Sequence, residues 1–128
     1  MSYERSIDVD CPGCGESFPF HARFSVLADR HPHLRDGVLD GTLMRQSCPH
    51  CGRLLRLEPE MTYLDVGRGQ WILVRPAAET TGWAELEETA GTLFERSFGA
   101  KAPPVAQEMA SDLTVRLAFG WPGLREKL

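Results

Sequence analysis

Four cysteines stand in this 128-residue chain, and they fall in two rhyming stretches: CPGCG at residues 11–15 and CPHCG at residues 48–52. Two cysteines separated by two residues can set both sulfurs on one cation within a tight turn. Proline after the first cysteine presets φ near −65°, and glycine after the second accepts a positive φ. In that geometry backbone N–H groups point at the thiolates and spread their charge. Two such turns supply four sulfurs, enough to close a tetrahedral shell about 2.3 Å from a zinc ion. Cys11, Cys14, Cys48 and Cys51 are therefore the expected ligands of one Zn²⁺ per chain.

The gap between the pairs, residues 15–47, exceeds the roughly 15–20 residues of the common double-CxxC pattern. Loop closure becomes costlier only slowly with length, so the ligand set is unaffected. Other uses of four cysteines stay open at this point. A redox pair needs only one CxxC, beside a βαβ pattern that the sequence lacks. Two disulfides need an oxidising compartment. A rubredoxin-type iron site uses the same four ligands. Catalytic zinc keeps a position open, usually with three protein ligands, whereas four cysteines fill the shell and imply a structural ion.

Such a site needs elements to hold it. Residues 7–10 (IDVD) alternate apolar and acidic, the period of a half-buried strand, and lead into the first pair. Residues 18–20 and 24–26 read as strand with an aromatic face, and Pro19 restricts the first to an edge. Pro32 opens a short helix through Leu34, Val38 and Leu39 that Gly41 closes. After the second pair come strands at 53–57, 61–66 and 70–75, the last two joined by a hairpin turn at 67–69. The remainder reads as helical. Thr80 or Thr81 caps a helix with Trp83, Leu86, Ala90, Leu93 and Phe94 on one face, ended by Gly99. Pro103 and Pro104 open a second helix, with Val105, Met109, Leu113 and Leu117 spaced by four, which Gly120 ends. A last turn runs over 122–128.

Composition narrows the function classes. Hydrophobic residues make up 42% and charged residues 25%, ordinary values for a globular domain. No apolar run approaches the roughly 18–20 residues that span a bilayer. The polar start MSYERSIDVD has no apolar leader, so a cytoplasmic, thiol-preserving setting is expected. Net charge is −4, with Glu79, Glu85, Glu87, Glu88 and Glu95 crowded into one stretch. Arg53, Arg56, Arg68 and Arg75 are interspersed with acids, so nucleic acid is not favoured as a partner. Lysine appears only at Lys101 and Lys127, an arginine bias typical of GC-rich bacterial genomes.

Few other residues suggest chemistry. His21, His31 and His33 lie close in sequence but have no carboxylate to orient them, and His50 sits inside a knuckle facing solvent. Ser25, Ser47, Ser97 and Ser111 lack a nucleophile motif, and no phosphate-binding glycine loop is present. Asp29, Asp36 and Asp40 read as loop-solvating acids. Trp71, Trp83 and Trp121 read as core anchors, with an interface as the other use of so large a side chain.

The order of these pieces resembles the CpXC-domain family of bacteria and archaea. The matching stretches are CPGCG, FSVLADRHPHLRDGVLDGTL, CPHCG, YLDV with Tyr63 and Asp65, WILVRP, and RLAFGWPGLREKL with Arg116, Phe119, Gly120 and residues 124–127. They cover nearly the whole chain. The resemblance implies a zinc-ribbon-like domain and supplies no catalytic residues.

The expectation is thus an α+β fold in one domain, residues 1–128. A zinc-ribbon-like antiparallel sheet (1–76) packs against C-terminal helices (77–128). The expected role is a non-enzymatic zinc-binding protein that recognises another protein or a second copy of itself. One alternative is an enzyme, or an enzyme accessory, in which zinc braces a cleft lined by Tyr63, Asp65, Arg116 and Glu126. A nucleic-acid-binding zinc ribbon is the other.

Overall fold

The computed structural model describes residues 3–128. The chain begins with an antiparallel hairpin, β1 (Glu4–Asp10) and β2 (Ser17–Arg23), whose turn is the first CPxCG. Its inner face carries Phe18, Phe20 and Ala22, all buried, with Ile7 and Val9 packed alongside. A short strand β3 (Ser25–Leu27) leads to helix α1 (Pro32–Asp40). Proline stands in the first turn of α1, and Gly41 ends it at φ 84°, the left-handed conformation that glycine tolerates without penalty. A second small hairpin follows, β4 (Arg45–Ser47) with β5 (Leu54–Arg56), and its turn is the second CPxCG.

The main sheet comes next. Strands β6 (Met61–Asp65) and β7 (Gln70–Arg75) form an antiparallel hairpin. After a 3₁₀ turn (Ala77–Gly82) and helices α2 (Trp83–Phe98) and α3 (Pro104–Ala110), strand β8 (Thr114–Phe119) returns to lie parallel to β7. Helix α4 (Gly120–Lys127) closes the described chain. The sheet order is β3-β6-β7-β8, with parallel pairs at both ends and the antiparallel hairpin between.

Each face of this sheet has its own cover. Val26, Met61, Tyr63, Ile72, Val74 and Ala118 lie on the side that meets Leu34 and Val38 of α1 and Trp121 and Leu124 of α4. Trp71, Leu73 and Leu117 lie on the other side, against Ala90, Leu93, Phe94 and Phe98 of α2. Trp71 meets Phe94 edge-on, their centroids 5.6 Å apart, an arrangement aromatic quadrupoles favour. Covered on both faces, β7 has an unbroken apolar run, Trp71 to Val74, instead of alternation.

The α+β class matches expectation, and three details differ. The helix expected from Pro103 through Leu117 stops at Ala110, so residues 77–128 are not wholly helical. Spacing by four is also an even number. Leu113 and Leu117 therefore satisfy a period of two as readily as one of 3.6, and the open side of β7 decides for strand. Gly120 then starts a helix instead of ending one, at φ 69°. Neither Thr80 nor Thr81 caps α2. The Thr80 hydroxyl donates to the Ala77 carbonyl (2.6 Å) inside the 3₁₀ turn, and α2 begins after Gly82 with no side-chain cap.

Candidate metal centre

Each knuckle is built by the hairpin that carries it. The Cys11 N–H donates to the Glu16 carbonyl (2.9 Å) and the Gly15 N–H to the Cys11 carbonyl (2.8 Å). In the second knuckle the Cys48 N–H donates to the Arg53 carbonyl (2.8 Å) and the Gly52 N–H to the Cys48 carbonyl (2.8 Å). Gly15 and Gly52 both sit at φ 77°, so the two turns share one conformation, which a β-carbon would strain. In each, the first cysteine is buried and the second exposed.

The two turns face each other. All four sulfurs lie within 4.8 Å of one another. Cys11 Sγ is 3.6 Å from Cys51 Sγ, and Cys14 Sγ is 3.8 Å from Cys48 Sγ. A tetrahedron with 2.3 Å metal–sulfur bonds has edges of about 3.8 Å. The thiols thus fit a four-coordinate soft cation, and no sulfur pair is at the roughly 2.05 Å of a disulfide. Among the described residues these four cysteines form the metal-capable group, and His21, His31 and His33 do not join one. His21 turns to Glu4 (3.7 Å), and the rings of His31 and His33 meet edge-on.

The amides of the turns tune the sulfurs unequally. The Cys14 N–H, opposed by burial and helped by the Gly13 N–H (3.4 Å from Cys11 Sγ), brings the Cys11 thiol down from 9.0 to about 6. At Cys14 the Glu16 amide pulls the pKa down, but burial and the neighbouring sulfurs outweigh it and raise the thiol to about 12. At Cys51 the Arg53 amide is likewise outweighed, by the Cys11 sulfur and burial, and the pKa rises. Local amides thus favour the thiolate at Cys11, while the Cys14 and Cys51 thiols are held toward the protonated form, and a bound cation would displace such protons.

A second link joins the hairpins. The Gln46 side chain, from β4, accepts from the His21 N–H (3.2 Å) and donates to the Pro19 carbonyl (2.9 Å). It satisfies the outward edge of β2 much as a neighbouring strand would. From the other direction, Arg56 of β5 stacks over the Trp121 ring, 3.8 Å from its centroid, and the Trp121 indole N–H donates to the Leu57 carbonyl (2.8 Å). These contacts tie the cysteine-bearing half to α4 and the main sheet.

The sequence profile of the CpXC protein family matches residues 9–128. The chain belongs to that family. Neither curated proteins nor solved structures give a match.

The remaining candidates of this CpXC protein are dispersed. Tyr63 and Asp65 are sealed, at 0 and 1% exposure, on the face of β6 that meets α1 and α4. Asp65 pairs with Arg68 (2.9 Å), while Arg116 and Glu126 are exposed. Arg116 shares a sheet row with Tyr63 but stands two strands away, beyond Ile72. The cleft expected from these four residues is not formed. Asp29 does more than solvate a loop: its carboxylate accepts the N–H groups of Val66 (2.6 Å) and Gly67 (3.0 Å) and holds the β6–β7 turn. Arg75 is held by Glu60 and Glu79 (3.0 and 2.9 Å). Trp71 and Trp121 are core residues, whereas Trp83 is 57% exposed.

Sequence reading missed β4, Gln46 and the Asp29 brace. A three-residue strand carries almost no periodicity, and nothing local marks Gln46 as a bridge to a strand 25 residues earlier. Asp29 carried a partial signal, an acid just before a helix that begins with proline.

Proposed function

We propose that Cys11, Cys14, Cys48 and Cys51 hold one structural Zn²⁺ that fixes two β-hairpins on the main sheet, as zinc ribbons do, and that the braced body is a protein-interaction module. The observation that carries the zinc assignment is the sulfur geometry, two facing separations near the edge of a 2.3 Å tetrahedron. Four thiolates complete the shell, so the ion's contribution is conformational: it replaces the protons of the cluster and locks two distant turns together. The interaction reading draws on the exposure of Trp83, a residue type enriched at interfaces.

Two experiments test this. Elemental analysis of protein purified under reducing conditions is expected to give one zinc per chain, lost in Cys48→Ser; one iron per chain, or no metal with normal folding, would overturn the assignment. Size-exclusion chromatography with light scattering, followed by affinity capture from a native lysate, tests the module. A strict monomer that captures no protein reproducibly would overturn it.

A further inference from the structure

Strand β8 is the last strand of the main sheet, and no other strand pairs with its outer side among the described residues. The Thr114 N–H donates to the Gly69 carbonyl (2.8 Å), so Thr114 turns its backbone groups toward β7. Backbone direction alternates along a strand. Arg116 and Ala118 therefore also face β7, while the N–H and C=O groups of Val115 and Leu117 face outward. Exposed edges of this kind are templates for another strand.

A groove of about 510 Å³ runs along this edge. Its two walls differ in chemistry, because side chains alternate across the sheet. On the α2 side stand Trp83, Val115 and Leu117, with Glu87 one turn along the helix. Trp83 and Val115 are 57 and 38% exposed, large apolar surfaces left open side by side. On the α4 side stand Arg116 and Lys127. Neither has an ion-pair partner among the described residues, in contrast to Arg23, Arg68 and Arg75.

We propose that the β8 edge takes an extended segment of a partner protein as a fifth strand, apolar side chains against Trp83 and Val115 and acidic side chains toward Arg116 and Lys127. This rests on the interaction-module reading and gives it a place and a ligand chemistry. Backbone pairing supplies the attachment, and the two walls read alternate side chains of the incoming strand. A second copy of the chain suits the edge poorly. Antiparallel pairing of β8 with itself about Arg116 sets two guanidinium groups side by side, and pairing about Leu117 leaves them diagonal neighbours at about 7–8 Å.

The test uses the full-length, metal-loaded protein and fluorescein-labelled nine-residue peptides. One alternates valine and glutamate, one alternates valine and lysine, and a third is the valine–glutamate peptide N-methylated at alternate residues. The valine–glutamate peptide is expected to bind at least about tenfold more tightly than the other two by anisotropy, in a salt-dependent way. Binding should slow hydrogen exchange at the Val115 and Leu117 amides. Arg116→Glu should invert the preference between the charged peptides, and Trp83→Ser should weaken both. Each residue is exposed, so neither change threatens the fold. Equal affinity for the two charged peptides, undiminished binding of the N-methylated one, no binding at all, or unchanged exchange at Val115 would each overturn the proposal. So would a peptide-free dimer that protects those amides. A lysate partner retained equally by wild type and Arg116→Glu would sink the edge and leave the module standing. Capture of nothing by wild type would sink the module itself.

Discussion

Removal of the metal is expected to loosen the two small hairpins and spare the main sheet. One ion held by all four sulfurs would link Cys14 to Cys48 across 34 residues and Cys11 to Cys51 across 40. Closing a loop of that length is worth roughly 4 kcal/mol in the chain-entropy account of cross-links. Against a typical domain stability of about 5–15 kcal/mol, this is a large share. A two-stranded hairpin is at best marginal alone. Without the ion, β1–β2 keeps the burial of Phe18, Phe20 and Ala22, and the hairpins keep the two bonds of Gln46, each worth about 1 kcal/mol. β4–β5 has only three residues per strand. The assay is hydrogen exchange by mass spectrometry on chelated, reduced protein, with metal loss verified by elemental analysis. Protection in β1, β2, β4 and β5 should fall by roughly a thousandfold, the equivalent of 4 kcal/mol. Ile72 and Val74, fully buried in β7 and paired with strands on both sides, should stay protected. Cys48→Ser should loosen the same four strands and leave the main sheet folded. Unchanged protection and melting in verified metal-free protein would refute the bracing role.

Three further outcomes are expected. Leu124→Ala, at a side chain with no exposure in the α4 contact, should cost about 2–5 kcal/mol in urea denaturation, while Leu54→Ala, at an exposed position, should stay within about 0.5 kcal/mol of wild type. Burial, and then the Asp65 charge, push Tyr63 from 10.0 up to about 12. The unfolded chain ionises first as pH rises, so stability present below pH 10 drains away between pH 10 and 12. Tyr63→Phe should flatten that decline by roughly 1–3 kcal/mol, read from paired denaturation curves across the range. Gly69→Ala should destabilise by at least about 1–2 kcal/mol, because Gly69 sits at φ 67° and an added β-carbon would lie 2.6 Å from the Asp112 carbonyl oxygen; a melting temperature equal to wild type would refute this.

Much of the site was legible before any coordinates. The two CPxCG stretches mark the four sulfurs that the fold gathers, since proline, glycine and two sulfurs at that spacing favour a single turn conformation, and both turns adopt it. The first helix was bracketed by Pro32 and Gly41, and the β6–β7 hairpin by its own glycines, because those signals act within a few residues. Features that depend on distant partners were not legible. The parallel pairing of β3 with β6 joins segments some 37 residues apart and leaves no local mark.

Sequence alone thus determined which atoms can hold a cation, through residue type and short-range backbone preference. Tertiary structure decided that Cys11 faces Cys51 and Cys14 faces Cys48, that residues 114–119 complete a sheet, and that Tyr63 and Asp65 are sealed while Arg116 and Trp83 are open. The physical reason is the range of the forces. Turn chemistry is fixed by neighbours along the chain. Strand order, sulfur pairing and exposure follow from which apolar faces find one another after the chain has closed on itself.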